Sequence, residues 1–295
     1  MSILKRWMAG IAIAGACPLI LVMGAGYLGF VHPAGDSFAV FRAQFAVLLL
    51  ALAALVWPLG FRKFAALSAT IALFAGIPLL IAYQQTGTPG DLTLYQKNML
   101  YINDDLPGLA ADIIATQPDF ITLQEVSDAN AALMDDLLST YPTQHFCSFS
   151  RVGGAAVLSH HISVPGTATC ARGMAAIQVE TGAGRVWLIS IHLHWPWPYG
   201  QAAQVNELVP SIAAFDGPKI IGGDFNMVPW SSHMRRFVQA SSAQLAQPVR
   251  GTYTGFGPLM HLPIDHVLTP TGGSTTVRPL LGADHLGLLV QFDMP

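Results

Sequence analysis

Three long stretches without a charged residue fill the first third of the chain, and they constrain its fold more than any other feature. They cover residues 7–31, 43–61 and 64–83 and are 25, 19 and 20 residues long. A helix needs about 20 predominantly apolar residues to cross the hydrocarbon core of a bilayer. The sequence therefore predicts three transmembrane helices before residue 84.

A cleaved secretory signal peptide is the alternative interpretation of the first stretch. Lys5 and Arg6 precede it, and small residues surround Cys17, as in a leader with its cleavage site. The apolar stretch continues well past Cys17, however, and two further stretches follow it. A retained membrane helix is therefore the favoured interpretation.

The positions of the basic residues predict the orientation of these helices. Basic pairs at 5–6 and 62–63 flank the stretches on one side, whereas the loop between the first two stretches carries Asp36. Basic loops stay in the cytoplasm, so the N-terminus is expected inside and residues 84–295 outside. Arg42, at the end of the outer loop, weakens this contrast.

The charges divide the chain into two parts. Residues 1–89 hold five Lys and Arg and one acid, and residues 90–295 hold nine basic and 16 acidic residues. The expected organisation is a membrane anchor over 1–83, a linker over 84–90 and a separate domain over 91–295. The eight residues from Gln84 to Asp91 reach at most about 26 Å, so the domain should lie close to the bilayer.

The segment 185–194 in the second part alternates like a strand that ends in a site. Side chains of a strand point to opposite faces in turn. One face is wholly apolar and consists of Trp187, Ile189, Ile191 and Leu193. The other face changes from apolar to polar along the strand and consists of Val186, Leu188, Ser190, His192 and His194. We expect imidazoles at the rim of a sheet.

Acidic and amide residues recur at the ends of other predicted strands. They are Asn98, Glu125, Asp224, Asn226, Asp265 and Asp284, the last followed by His285. Single residues of this kind usually cap a helix or form a turn. Six in one domain indicate a site, and carboxylate and amide oxygens suit Mg²⁺ or Mn²⁺ rather than a soft metal.

These residues lie in short motifs whose order and spacing resemble the endonuclease/exonuclease/phosphatase superfamily, the DNase-I-like proteins. The motifs are KNML with Asn98, DFITLQEV with Glu125, SIHLH with His192, GGDFN at 222–226, PIDHV at 263–267 and ADH at 283–285. The resemblance covers about residues 91–293. The apolar stretches together with HLHWPWP and GGDFNMVPWS are similar to a membrane-anchored bacterial subgroup of this family.

The resemblance implies a four-layered α/β/β/α sandwich with a site at one edge of its two sheets. It implies a metal site with Mg²⁺ or Mn²⁺, in which Glu125 binds the metal, Asn98 lies beside it and Asp284 lies near the metal. For the bacterial subgroup it implies a multi-pass protein of the inner membrane, with the domain in the periplasm.

The same resemblance implies roles in the hydrolysis of a phosphoester. Asp224 would activate the attacking water, and Asn226 would hold that water or the phosphate. His285 would donate to a phosphate oxygen, and Asp265 would orient His285. His192 matches a position at which the family places a side chain against the phosphate. No covalent intermediate is required.

Two motifs depart from the family pattern. Many relatives end in Ser-Asp-His-x-Pro, whereas residues 283–287 read Ala-Asp-His-Leu-Gly. Many also carry an acid two residues after the first Asn, where this chain has Leu100. The second departure removes a candidate metal ligand and leaves open whether one or two metal ions bind.

Two other features leave alternatives open. His192 and His194 share a strand face, but no Asp-His motif follows to complete a zinc hydrolase, so His194 is assigned to the rim. Trp195 and Trp197 follow directly and form either a packed loop or the wall of a substrate or membrane interface. The pair Cys147 and Cys170 is either a disulfide, which an oxidising compartment permits, or two free thiols.

The acidity of the second part bears on the substrate. A net charge of −7 and the lack of a basic stripe argue against strong polyanion binding, which relies on Lys and Arg. The favoured function is a membrane-anchored, metal-dependent phosphoesterase whose substrate is a lipid-linked or small phosphoester. A nuclease of the same family and a catalytically weak scaffold that kept the fold are the alternatives.

Overall fold

The computed structural model describes residues 3–295, which form eight helices and thirteen strands. The helices are α1 Ile3–Ala25, α2 Ala34–Val40, α3 Arg42–Val56, α4 Arg62–Gln84, α5 Leu106–Thr116, α6 Ala132–Leu137, α7 Gln201–Ala213 and α8 Ser232–Ser241. The strands are β1 Leu92–Asn98, β2 Phe120–Val126, β3 Thr143–Ser150, β4 Gly153–Ser159, β5 Ile162–Ser163, β6 Thr169–Ala171, β7 Met174–Thr181, β8 Gly184–His192, β9 Lys219–Asp224, β10 Gln244–Leu245, β11 Asp265–Thr269, β12 Ser274–Arg278 and β13 Gly287–Phe292.

The strands form two mixed sheets. The first has the order β12-β13-β1-β2-β4-β3, and the second has the order β10-β11-β9-β8-β7-β5 with β6 also paired to β7. Each sheet contains one central parallel pair, β1 with β2 and β8 with β9. Because parallel neighbours end at the same edge, the carboxyl ends of these four strands are positioned to meet at one edge of the sandwich.

The hydrophobic core separates into three layers of side chains. Residues from both sheets, including Leu94, Val157, Leu188 and Val290, fill the space between the sheets. Helices α5 and α6 cover the outer face of the first sheet, and α7 and α8 cover the outer face of the second. The result is the α/β/β/α sandwich that the family resemblance predicts.

Strand β8 follows its predicted alternation. Trp187, Ile189, Ile191 and Leu193 pack beneath α7 and α8, and Val186 and Leu188 face the other sheet. The two sheets approach closely beside it, because a Cβ atom on Gly222 would lie 2.1 Å from Oγ1 of Thr122. A side chain at this position would push the sheets apart.

Two helices among residues 3–295 are long and apolar enough to cross a membrane, namely α1 and α4. The third predicted span, over 43–61, is helical only as far as Val56. Helix α3 has 15 residues and a length of about 22 Å, which is shorter than the hydrocarbon core of about 30 Å. It continues α2 across a bend of 65°, so the pair is a third candidate span only if it counts as one broken helix.

Arg42, at this bend, is not a free positive flank. It is buried, its guanidinium donates to the carbonyl of Gly26 at 2.6 Å, and it lies 3.9 Å from the centre of the Tyr27 ring. Arg42 therefore closes the loop between α1 and α2. The basic residue that weakens the contrast between the two sides of the apolar stretches thus has a structural role.

Asp36 joins this loop to the sandwich. Its carboxylate accepts hydrogen bonds from the backbone N–H groups of Ser232 and His233, at 2.8 and 3.2 Å, and from the Ser232 hydroxyl at 2.5 Å. The first N–H groups of a helix lack partners within the helix, so a carboxylate there supplies hydrogen bonds and complements the helix dipole. The single acid of residues 1–89 thus caps α8, and Gly29, which has no Cβ, leaves room for it.

Other contacts extend this junction. Trp230 donates from Nε1 to the carbonyl of Ala39 at 2.8 Å, and the Ser37 hydroxyl donates to the carbonyl of Trp197 at 2.7 Å. In the same junction, the N–H of Val249 donates to the carbonyl of Ala82 in α4 at 3.0 Å. The apolar helices and the sandwich are therefore docked, not merely tethered.

We predict that Asp36→Ala lowers the thermal stability of the full-length protein in detergent. The change leaves buried donors at the start of α8 unpaired, which costs about 2 kcal/mol and shifts Tm by about 5 °C. Tryptophan fluorescence during heating measures the shift. Asp136→Ala, which removes an exposed carboxylate from α6, is the control with an unchanged Tm. Equal melting of both variants would contradict the role of Asp36.

Candidate active site

The register of the strands brings the sequence-predicted polar residues together. His192 pairs with Asp224 across the parallel β8–β9 pair, and Asp265 pairs with Asp224 across the antiparallel β9–β11 pair. Asn98 and Glu125 come from the ends of β1 and β2 in the other sheet. The site therefore lies where the ends of the two sheets meet, and both sheets contribute polar side chains to it.

Asn98 connects the carboxylates of Glu125 and Asp224. Its Nδ2 donates to Oδ2 of Asp224 at 3.0 Å and to Oε1 of Glu125 at 3.3 Å, while its Oδ1 accepts from the N–H of Leu100. The N–H of Tyr101 holds the second oxygen of Glu125 at 3.0 Å. Both carboxylates are thereby fixed in direction, and the Asn98 amide orients them rather than offering its own oxygen to the cleft.

His285 forms a buried pair with Asp265. The two side chains meet at 2.7 Å between Nδ1 and Oδ2, and Asp265 also accepts from Thr252 Oγ1 at 2.5 Å and from Gln96 Nε2 at 2.8 Å. These contacts fix Nδ1 as the protonated nitrogen that faces Asp265. The other nitrogen, Nε2, points into the cleft, 3.8 Å from Asp224 Oδ2.

The charges around His285 favour its cationic form. Burial lowers the pKa of its imidazole, but the carboxylates of Asp265 and Asp224 raise that pKa more strongly, to about 9. His192 shows the opposite balance, since burial and the neighbouring His285 lower its pKa to about 3. One imidazole of the site is thus a cation at neutral pH and the other is neutral.

His192 lies beside the carboxylates of Glu125 and Asp224. Its Nε2 is 3.9 Å from Glu125 Oε1 and 3.8 Å from Asp224 Oδ2, and Phe149 packs edge-on against its ring. His194, two residues later, is half-buried at the cleft mouth, 3.3 Å from a nitrogen of Arg172. The structure therefore separates the two imidazoles of the SIHLH motif into a buried one and a rim one.

Asn226 is held directly beside Asp224. Its N–H donates to Asp224 Oδ1 at 2.8 Å, and its Nδ2 donates to the carbonyl of Leu193 at 2.8 Å and to Asp224 Oδ2 at 3.3 Å. The backbone of Asn226 is left-handed, with φ of +45°. This turn directly after β9 brings the amide back over the carboxylate.

Glu125 also has left-handed backbone geometry, with φ of +59°. It lies at an irregularity in the β2–β4 pairing, where Gln124 pairs with Ala155 and Val126 pairs with Gly154. The extra residue turns the Glu125 side chain out of the strand alternation and toward the cleft. Non-glycine residues in this region are strained, and such strain concentrates at functional sites.

Asp284 and the rim residues complete the surroundings of a cleft of about 250 Å³. Asp284 is partly exposed, with Oδ1 4.0 Å from His285 Nε2. The cleft is lined by Glu125, Phe149, Ser150, Val152, His192, Leu193, His194, Trp195, Asp224, Asn226, Tyr253, Asp284 and His285. Trp197, which the sequence assigned to the same rim, lies instead in a neighbouring groove.

Several residues of the site lie outside the motifs from which the sequence predicts a site. Tyr253 packs against the His285 ring with centroids 5.0 Å apart, and Thr252 holds Asp265. Both lie in an irregular loop. Gln96 also lies outside these motifs. It is two residues before Asn98 in β1, however, so strand alternation places it on the same face as Asn98.

Gln201 holds the backbone that follows strands β8 and β9. Its Nε2 donates to the carbonyls of His194, Phe225 and Asn226 at 2.7 to 3.3 Å, and its Oε1 is 2.8 Å from Nδ1 of His233. His233 in turn follows Ser232, which Asp36 caps. A continuous set of hydrogen bonds thus leads from α2 to the backbone of Asn226.

The carboxylates that face the cleft are candidate ligands for a divalent cation. Glu125, Asp224 and Asp284 face one cleft, and burial raises the pKa of both Glu125 and Asp224. Converging buried carboxylates are costly unless a positive charge neutralises them. Cationic His285 supplies one such charge beside Asp224, whereas the Nζ of Lys97 donates to the carbonyls of Pro279, Leu280 and His285.

The chain is similar to known proteins in sequence and in fold. The model of the Endonuclease/Exonuclease/phosphatase family matches residues 96–287. No curated protein matches the chain. A family protein from Leptotrichia buccalis has 15% identity and a TM-score of 0.55, with 69% of this chain and 100% of that chain covered. Truncated TDP2 from Caenorhabditis elegans has 17% identity and a TM-score of 0.51, with 69% and 97% covered. At these identities the likeness shows the fold alone.

We predict that Asp265→Asn lowers the pKa of His285 from about 9 to below 7, because it removes the negative charge 2.7 Å from the ring. NMR titration of full-length protein labelled with ¹³C-histidine measures this pKa, and His285→Gln assigns the signal. Thr252→Val is the control: it removes a partner of Asp265 but no charge, so His285 keeps its high pKa. A pKa still above 8 in Asp265→Asn would refute the pairing.

Proposed function

The chain belongs to the endonuclease/exonuclease/phosphatase family, and we propose that it is a membrane-anchored, divalent-metal-dependent phosphoesterase. The observation that carries this proposal is a set of polar residues from both sheets that line one cleft or hold the residues that line it. The cleft is lined by Glu125, His192, Asp224, Asn226, Asp284 and His285, and Asn98 and Asp265 hold members of this set by hydrogen bonds. Each of them has a partner or an environment that suits its proposed role.

The proposed metal is Mg²⁺ or Mn²⁺, held by Glu125 and Asp224, with Asp284 at the open side of the cleft. Hard cations of this kind prefer carboxylate oxygens. When bound, the cation supplies positive charge that neutralises the developing negative charge of the phosphoester. Asn98 acts by keeping the carboxylates of Glu125 and Asp224 turned toward the same point.

Asp224 is proposed to accept the proton of the attacking water. Its Oδ2 is the one oxygen that faces Asn98, Asn226, His192 and His285 together. Asn226 holds Asp224 by two hydrogen bonds, so the carboxylate keeps its direction while the water approaches. Substrate hydrolysis then proceeds by direct attack on phosphorus, without a covalent enzyme intermediate.

His285 is proposed to stabilise the charge that develops on a phosphate oxygen. Its Nε2–H faces the cleft, and Asp265 holds the ring from behind through Nδ1. A preorganised cationic donor of this kind stabilises the transition state more than the ground state. His192, neutral and buried, adds a second donor over Glu125 and Asp224.

The two alternative functions are less well supported. A nuclease requires basic residues for the phosphate backbone, whereas residues 90–295 carry a net charge of −7. TDP2 from D. rerio, which has 15% identity and a TM-score of 0.54, is complexed with single-stranded DNA product, but that ligand belongs to that protein. A scaffold would not need to hold Asp224 and His285 so closely.

The proposed location is the inner membrane of a bacterium, with the sandwich in the periplasm. Two arguments support this orientation. The basic pairs at 5–6 and 62–63 favour the cytoplasm, and α1 and α4 each lead from these pairs toward the sandwich. In addition, Cys147 and Cys170 form a disulfide, which an oxidising compartment favours.

We predict that purified full-length protein hydrolyses bis(p-nitrophenyl) phosphate or p-nitrophenyl phosphate with Mg²⁺ or Mn²⁺, and that EDTA abolishes turnover. Asp224→Ala should lower kcat by about a thousandfold or more, because it removes both a metal ligand and the proposed base. Asp216→Ala, which removes an exposed carboxylate, is the control with unchanged kcat. If these esters and a panel of phospholipids show no Asp224-dependent turnover, the enzyme proposal fails.

We also predict the side of the membrane on which the sandwich lies. Alkaline phosphatase fused after Pro295 should be active in a bacterial host, and green fluorescent protein fused there should be dark, because each reports one compartment. Fusions after Lys63 should give the reverse result and serve as the control. A fluorescent fusion after Pro295 would contradict the proposed orientation.

A further inference from the structure

We propose that an apolar groove beside the cleft binds the hydrocarbon chain of an amphiphilic phosphoester drawn from the same membrane. This inference rests on the proposed function and assigns its substrate class. The groove has a volume of about 330 Å³ and is lined by Ser37, Val40, Phe41, Trp195, Pro196, Trp197, Tyr199 and Phe256. Seven of these eight side chains are apolar or aromatic.

The groove and the catalytic cleft share a wall. Trp195 lines both, and its ring packs edge-on against Tyr253 with centroids 5.7 Å apart. Tyr253 lines the cleft and contacts both His285 and Phe256, while Phe256 lines the groove. A molecule with a phosphoester at one end and an apolar chain at the other therefore fits both spaces at once.

The opposite wall of the groove comes from the segment that joins the apolar helices. Val40 ends α2 and Phe41 lies at the bend before α3, and Phe41 packs edge-on against Phe256 with centroids 6.0 Å apart. His32 packs edge-on against Trp197, and Ser37 donates to the carbonyl of that residue. The groove thus opens at the end of the membrane anchor.

Exposure at this position indicates the kind of occupant. Trp197 is 48% exposed, Phe256 49% and Tyr199 68%, although aromatic side chains of this size are usually buried. Clustered exposed apolar residues mark an interaction site, and Trp and Tyr favour the membrane–water interface. An amphiphilic lipid is the kind of molecule that such an exposed aromatic groove suits.

The experiment compares two p-nitrophenyl phosphodiesters that differ only in their alkyl group, ethyl and dodecyl. Full-length protein is reconstituted in phosphatidylcholine vesicles, and release of p-nitrophenolate gives kcat/KM for each ester. Each buried methylene multiplies binding by about fourfold, so we expect the dodecyl ester to be favoured by at least about fiftyfold. A ratio near one would overturn the proposal.

Groove variants separate binding in the groove from simple partition into the vesicle. Tyr199→Ser combined with Phe256→Ser should lower the dodecyl-to-ethyl ratio at least tenfold. Ile162→Ser, which removes a 78% exposed apolar side chain at the far end of the second sheet, should keep the wild-type ratio. Because partition is equal for all three proteins, an unchanged ratio in the double variant would overturn the groove assignment.

A second readout does not need hydrolysis. A dodecyl phosphodiester with a diazirine at the chain end, added to Asp224→Asn protein in the same vesicles, should label residues 195–199 or 253–259. Labelling confined to α1, α3 and α4, or a groove that joins two copies of the chain in cross-linking, would overturn the proposal. Groove labelling without hydrolysis by wild-type protein would instead refute the enzyme function alone.

Discussion

The contact between Asp36 and the start of α8 is the constraint that fixes the apolar helices relative to the candidate active site. A buried carboxylate is costly unless every oxygen is paired, and here the unpaired N–H groups of a helix supply the pairing. Ser232 adds its hydroxyl. Neither α2 nor α8 satisfies these groups alone, so each stabilises the other only when the two are docked.

This junction is also connected to the candidate active site. His233, beside Ser232, contacts Gln201, and Gln201 holds the carbonyls of Phe225 and Asn226. The Nδ1–H of His233 donates to Oε1 of Gln201, because an amide oxygen only accepts, and burial lowers the pKa of this imidazole. The left-handed turn at Asn226 is strained, and strained residues persist only where neighbouring contacts determine them. Anchor docking and loop geometry are therefore parts of one hydrogen-bonded unit.

The sequence was informative wherever local alternation or a motif carried the signal. The two faces of β8 follow directly from its period of two, and Asn98, Glu125, Asp224, Asp265 and His285 lie in motifs that the register brings together. Thr252, Tyr253 and Gln201 carry no such signal, because their roles arise from loops and helices that only the tertiary fold places near the site. Asp36 was read as a loop charge, since its partners are almost two hundred residues away.

The middle apolar stretch shows why composition alone was insufficient there. Residues 43–61 are as uncharged as the other two stretches, but α3 ends at Val56, and residues 57–60 form a turn. Pro58 lacks the N–H that would continue the helix, and Gly60 has φ of +95°. Turn-forming residues at the end of an uncharged stretch thus shorten its helix, and the lack of charge does not reveal this.

The balance of charge in the cleft then connects these parts. Glu125, Asp224, Asp265 and Asp284 surround one cationic imidazole, and Lys97 is committed to backbone carbonyls. Such a site attracts cations and repels an anionic substrate until a divalent ion is bound. An amphiphile held by its apolar chain in the adjacent groove has a favourable contribution to binding that does not depend on charge. The groove would therefore supply the affinity that an acidic domain cannot obtain from basic residues.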